Sequence, residues 1–182
     1  MMEDHCATVR ILKRSGISTW REVPMIDDTD RQHLQRCIEL AAQALESGNE
    51  PFGSVLVSHE GKVLFEDHNR IGSGDHTRHP EFAIARWAAE NLTAQDRARA
   101  TVYTSGEHCP MCAAAHGWVG LGRIVYASSA AQMTEWLAKL GVPAFRVRPL
   151  AITDVIGDTP VQGPFDEFAQ QVRELHVKSH SR

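Results

Sequence analysis

The chain lacks several features that would fix its class at once. No apolar run approaches the roughly 20 residues needed to cross a membrane, so no membrane role is expected. Met1–Gly16 is too polar for a secretory signal, and a cytoplasmic location is the expectation. Basic residues are not in excess: 19 Lys and Arg stand against 23 Asp and Glu, a formal net charge of -4. A generic nucleic-acid binder usually carries a basic face, so nucleic acid is disfavoured as a partner, although a local patch is not excluded. There is no internal repeat and no low-complexity tract. Cysteine is sparse: Cys6, Cys37, Cys109 and Cys112. Without a signal, and with two of the four in a Cys-x-x-Cys, metal binding or redox chemistry is favoured over a disulfide framework.

What is present is an ordinary soluble-domain composition, 42% apolar and 23% charged over 182 residues, which excludes general disorder. The length suits one domain, which buries roughly 70% of its extended surface and needs no disulfide staple. Residues 1–27 lack clear periodicity and read as an N-terminal extension, with a strand around Thr8–Leu12. Thr29 and Gln32 have capping-box spacing, and Leu34, Cys37, Ile38, Ala41, Ala42 and Leu45 follow on one helical face. Strands are predicted at Phe52–Val57, Val63–Phe65, Thr101–Thr104 and Arg123–Ala127, with a fifth inside Phe145–Ile152. Helices are predicted at Pro80–Asn91, Pro110–Trp118 and Met133–Leu140, and in the tail after Pro164. An opening hairpin followed by alternating strands and helices predicts an α/β fold, three-layer α/β/α, on a mixed five-stranded sheet. The main domain is expected over residues 28–160, with residues 161–182 as a C-terminal helix.

Two motifs carry chemistry. His79-Pro80-Glu81 sits where a glycine-containing loop meets a helix, and Cys109-Pro110-Met111-Cys112 where a strand meets a helix. A helix N-terminus favours thiolate. Two Cys and one His suit tetrahedral Zn²⁺, and three protein ligands leave a position for water, the catalytic rather than the structural arrangement. Zn²⁺ lowers the pKa of that water toward neutrality, and Glu81, two residues from the His, is placed to take its proton. The competing structural-zinc reading needs a fourth ligand, for which His76, His108, His116 and Cys37 are available.

His-x-Glu followed by Cys-x-x-Cys is the signature of zinc deaminases. The chain resembles the cytidine/deoxycytidylate deaminase superfamily, in its guanine-deaminase and tRNA-adenosine-deaminase branch. Glu50-Pro51-Phe52-Gly53-Ser54-Val55-Leu56-Val57 is similar to that branch's first strand, and His68-Asn69-Arg70 to its Asn-Arg element. The second zinc helix and the strand Arg123-Ile124-Val125-Tyr126 extend the likeness over roughly residues 30–130. It implies His79, Cys109 and Cys112 as Zn²⁺ ligands, Glu81 as the proton shuttle and Asn69 as a hydrogen-bond partner of the substrate. It also implies a homodimer.

Two positions depart from the family pattern. His108 stands where Pro is usual, and Pro80 where Ala is usual. In the family the backbone N–H at the second position typically contacts the substrate ring, and proline has none, which predicts a non-standard substrate contact there. His108 reads either as an extra polar contact near the metal or as a loop residue on the rim. Phe52 is a candidate substrate contact, although burial statistics favour core positions for Phe52, Phe82 and Trp118. Trp87 and Trp136 read as packing, and Phe165–Phe168 as a candidate lid. The expected function is hydrolytic deamination of a small nucleobase or nucleoside with a guanine- or cytosine-type aminated ring. A tRNA adenosine deaminase and a non-catalytic structural-zinc interaction protein are the competing readings.

Overall fold

The computed structural model describes residues 26–181; Cys6 and the strand expected around Thr8–Leu12 lie outside these. The first helix, α1 (Asp28–Glu46), begins one residue before Thr29. Its capping box is made by Asp27 and Asp30, not by Thr29 and Gln32: Asp30 N donates to Asp27 Oδ1 at 2.8 Å, and Asp27 N donates to Asp30 Oδ2 at 3.2 Å. A carboxylate suits this position better than a hydroxyl, because its charge also meets the positive end of the helix. The expected stripe of Leu34, Cys37, Ile38, Ala41 and Leu45 is buried.

The sheet contains β1 (Gly53–Val57), β2 (Val63–His68), β3 (Thr101–Gly106), β4 (Arg123–Ser128) and β5 (Val161–Gln162), in the order β2-β1-β3-β4-β5. β1 runs antiparallel to both neighbours, and β3, β4 and β5 run parallel. The remaining helices are α2 (Pro80–Asn91), α3 (Ala94–Arg99), α4 (Pro110–Val119), α5 (Ala130–Lys139) and α6 (Asp166–His180). Strand alternation divides the core. Val55, Val57, Tyr103, Val125 and Ala127 meet Leu34 and Ile38 of α1 and Phe168 and Val172 of α6 on one face. Leu56 and Val102 meet Ile84, Ala85 and Ala88 of α2 on the other. The expected mixed five-stranded α/β architecture is the one observed.

Several expectations are corrected. The fifth strand is Val161–Gln162, not part of Phe145–Ile152. Phe145 and Val147 alternate with arginines as a strand would, but both side chains are exposed, and Ile152 starts a single 3-10 turn. α3 was not expected, since Thr93-Ala94-Gln95-Asp96 carries only a cap, and the helix is too short for an apolar stripe. Trp118 is 89% exposed on α4, not core. Phe168 is buried in the core and Phe165 packs against it. Trp87, stacked on Phe65, and Trp136 are packing residues as expected.

Gly53 shows why β1 can lie so close to α1. A Cβ there would collide with the backbone of Cys37 and Ala41 and with Leu40. A polar tie joins α1 to the far end of the sheet. Asp30 accepts both guanidinium nitrogens of Arg123 at 2.8 Å and the Tyr103 hydroxyl at 2.6 Å. Burial raises the Asp30 pKa, but hydrogen bonds from Arg123 and Tyr103 outweigh it, and the net shift is downward. A lowered folded-state pKa contributes stability above the unfolded carboxylate pKa, and this is lost as pH falls through the folded value. Arg123→Met leaves a buried carboxylate short of its partner and should cost about 3 kcal/mol at neutral pH. Urea unfolding of both proteins across the acid range should show that deficit shrinking as Asp30 becomes protonated.

Candidate zinc centre

α2 and α4 both start at a proline, which loses nothing at the first helical position. Their N-caps are His79 and Cys109, each in extended conformation. Neither side chain caps its own helix, so both are free to turn toward each other. Cys112 follows one turn into α4. His79 Nδ1 lies 3.6 Å from Cys109 Sγ and 3.6 Å from Cys112 Sγ, and the two sulfurs are 3.4 Å apart. A tetrahedral zinc with Zn–S of about 2.3 Å and Zn–N of about 2.0–2.1 Å requires ligand separations of about 3.6–3.8 Å. The donor set fits that ion, with both His79–Cys separations in this range and the two sulfurs slightly closer than it. Among the described residues no other His, Cys, Asp or Glu ligand atom joins the cluster, so His76, His108, His116 and Cys37 do not complete a structural site.

Glu81 is buried over β1 and β3. Ser54 and Thr104 face each other across these strands. Their hydroxyls both donate to Glu81 Oε1, at 2.9 and 2.7 Å. Sequence reading missed this pair; its signal is two hydroxyl residues on the strand face that turns toward α2. It also missed Glu107. That carboxylate accepts the backbone N–H of Ala130, at the start of α5, and of Ile152, both at 2.9 Å. Glu107 N donates to Ser128 O at 2.8 Å, which fixes the loop delivering Cys109.

The other expected site residues separate by environment. Asn69 is fully buried; its Oδ1 accepts Ile71 N at 3.1 Å, while its Nδ2 has no partner. Asn69 follows His68, which pairs with Gly53, the neighbour of Ser54. Pro80 is buried and offers no N–H. Phe52 is half-buried, edge-on to His176 at 5.2 Å between ring centroids. His108 is not on the rim: it is buried, T-shaped to His116 at 5.4 Å, with Nδ1 unpartnered.

The profile of the cytidine and deoxycytidylate deaminase zinc-binding region matches residues 27–128, which contain the whole cluster. The chain belongs to that deaminase family. A Schizosaccharomyces pombe protein named as a probable cytosine deaminase is 31% identical over 148 residues, 78% of this chain and 88% of its own length. The solved guanine deaminase of Bacillus subtilis is 27% identical, with a TM-score of 0.52, over 81% of this chain and 93% of that one. The guanine deaminase of Nitrosomonas europaea shares the fold, with a TM-score of 0.63 at 16% identity, over 87% of each chain.

For a zinc deaminase the protons of the centre matter. The hydrogen bond from Cys112 leads in pulling the Cys109 thiol down to about 4, with His79 adding to it. That same bond, with burial, pushes Cys112 well up. Burial opposes charge on His79, but its bond to Cys109 and the charges of Glu81 and Cys109 raise it to about 9. Burial raises Glu81 as well. At pH 7 the metal-free centre therefore holds a thiolate at Cys109, a thiol at Cys112 and an imidazolium at His79. Zinc must displace one proton from His79 and one from Cys112, about two in all. Calorimetric zinc titrations in buffers of different ionisation enthalpy should find this release near pH 7. Zinc affinity should rise with pH, with the dependence falling from about two protons to about one as pH passes about 9, because Cys112 still holds its proton there.

Proposed function

We propose that this zinc-dependent deaminase acts on a nucleobase or nucleoside with a guanine- or cytosine-type aminated ring, exchanging the amine for oxygen and releasing ammonia. The observation that carries this reading is the buried, unpartnered Nδ2 of Asn69, at the same end of the sheet as Glu81. A buried donor without an acceptor is costly, and a carbonyl or ring nitrogen of a base supplies one. Two relatives with base deaminase names align over about four-fifths of this chain, which supports a small ring as substrate. The net charge of -4 weighs against an RNA substrate.

His79, Cys109 and Cys112 would hold the zinc, which when bound supplies Lewis acidity that makes water a nucleophile at neutral pH. Glu81 handles the protons. Ser54 and Thr104 occupy Oε1, which leaves Oε2 for the reaction. Oε2 accepts one water proton and gives it to the ring nitrogen as the C–O bond forms. It then carries the second proton to the amine as the C–N bond breaks, and ammonia leaves. Burial suits Glu81 to this shuttle, because a raised pKa lets it hold a proton long enough to return it. Asn69 orients the ring, with Phe52 and His108 as further candidate contacts. Pro80 removes a backbone donor beside the ring, so recognition rests more on side chains.

Glu81→Ala should keep about one zinc per chain and the fold, since Ser54 and Thr104 remain paired at 2.9 Å. It should lower ammonia release by at least about a hundredfold; retained turnover would sink the assignment. A panel of free bases, nucleosides and tRNA, read by ammonia and inosine, tests the substrate class. Deamination of tRNA alone would replace the small-ring reading.

Thr104→Val removes a hydrogen bond that favours the Glu81 carboxylate. The Glu81 pKa then rises further, and the acid limb of the kcat/KM profile should move to higher pH.

A further inference from the structure

Asn69 points its Nδ2 at a substrate only while its amide keeps one orientation. A half-turn about the last side-chain bond exchanges Oδ1 and Nδ2, and a donor becomes an acceptor. Oδ1 is held by the N–H of Ile71, which donates to it at 3.1 Å. Turned over, the amide would set its own N–H groups against that of Ile71. The position of Ile71 N therefore decides that Asn69 offers a donor to the ring.

Ile71 belongs to a weakly supported element. Ile71–Ser73 is a single 3-10 turn, none of its residues is buried, and no side chain caps it. Packing does not hold such a turn. Gly74 N donates to Ile71 O at 2.8 Å and Ser73 Oγ to Arg70 O at 3.3 Å, which shape the turn but do not place it. Arg78 reaches Ser73 Oγ only at 3.4 Å. The tie to a distant element is Gly72 N, which donates to Asn49 Oδ1 at 2.8 Å.

Asn49 is itself fixed where α1 ends. Its N donates to Ala44 O at 2.9 Å and its Nδ2 to Ser47 O at 3.3 Å. Further along the same link, Phe52 O accepts the backbone N–H of Asn69 at 2.9 Å. The link between α1 and β1 thus grips Asn69 twice: its backbone from Phe52, and its side chain by way of Asn49, Gly72 and Ile71. Glycine at position 72 suits this close approach, because a Cβ there would stand 2.9 Å from Asn49 Oδ1 and 3.3 Å from Gly48 O.

We propose that Asn49 is a positioning residue for substrate recognition: by holding Gly72 N it fixes Ile71 N, and so keeps the Asn69 amide in its donor orientation toward an acceptor atom of the ring. This rests on the deaminase reading, with Asn69 as its ring contact. Among the described residues, Asn49 makes no hydrogen bond to Glu81 or to the side chains of His79, Cys109 and Cys112. It therefore acts on ring binding and not on the bond-breaking step.

The test compares the zinc-loaded full chain with its Asn49→Ala variant. Steady-state ammonia release gives kcat and KM on guanine, guanosine, cytosine and cytidine, and NMR gives backbone amide exchange without substrate. In the variant KM should rise about fivefold on the rings that are turned over, with kcat within about twofold and zinc still about one per chain. The amides of Gly72 and Ile71 should both exchange at least about tenfold faster. Asn49→Asp keeps the acceptor and should return KM and both amides to near the parent values. Gly72→Ala pushes the Asn49 amide aside and should raise KM to a similar extent, while adding little to Asn49→Ala, because the two break the same bond. Faster exchange at Gly72 with Ile71 unaffected overturns the proposal, as does a KM rise that Asn49→Asp does not reverse. A parent chain active on any of the four rings, with KM unmoved in Asn49→Ala, removes this inference alone. A parent chain inactive on all four removes the substrate reading, and this inference with it.

Discussion

The meeting of two helix N-termini is the contact on which the site depends. His79 and Cys109 are N-caps of separate helices, yet their side chains approach to 3.6 Å. α2 and α4 pack against each other, which brings their N-termini together. Proline at each first turn fixes the approach of the chain without losing a hydrogen bond. The partial positive charge at each N-terminus favours anionic sulfur. Backbone geometry and ligand chemistry therefore point to the same occupant.

The sheet supplies the second constraint. Because β1 is antiparallel to β3, Ser54 lies directly opposite Thr104, and one carboxylate oxygen can receive both hydroxyls. A parallel pairing would stagger them. Burial raises the Glu81 pKa, while the charge of His79 and the hydrogen bond from Thr104 oppose that rise, and the net shift stays upward.

Much of this was legible in the sequence because it rests on local rules. Pro80 and Pro110 mark helix starts, the Cys-x-x-Cys spacing sets two sulfurs one turn apart, and the stripe of α1 follows helical period. What escaped depends on partners distant in the chain. Asp27 out-competes Thr29 as a cap because Asp30 is also held by Arg123, 93 residues away. β5 is only two residues long and exists because β4 offers an edge at Ile124 and Val125. The alternating Phe145–Arg148 segment has no such edge. Trp118 is a large apolar ring, but nothing among the described residues covers it.

His108 joins these levels. Where proline is usual in the family, this chain places a buried imidazole against His116, and an unpartnered Nδ1 lies one residue from a zinc ligand. Such a group is tolerated only if the loop around it is held by other means. Glu107 does this, by binding two backbone N–H groups from segments that follow β4. The loop that presents Cys109 is thus tied through its own Glu107 to Ser128 of β4, to the start of α5 and to the turn at Ile152, so segments that contribute no metal ligand help to place one.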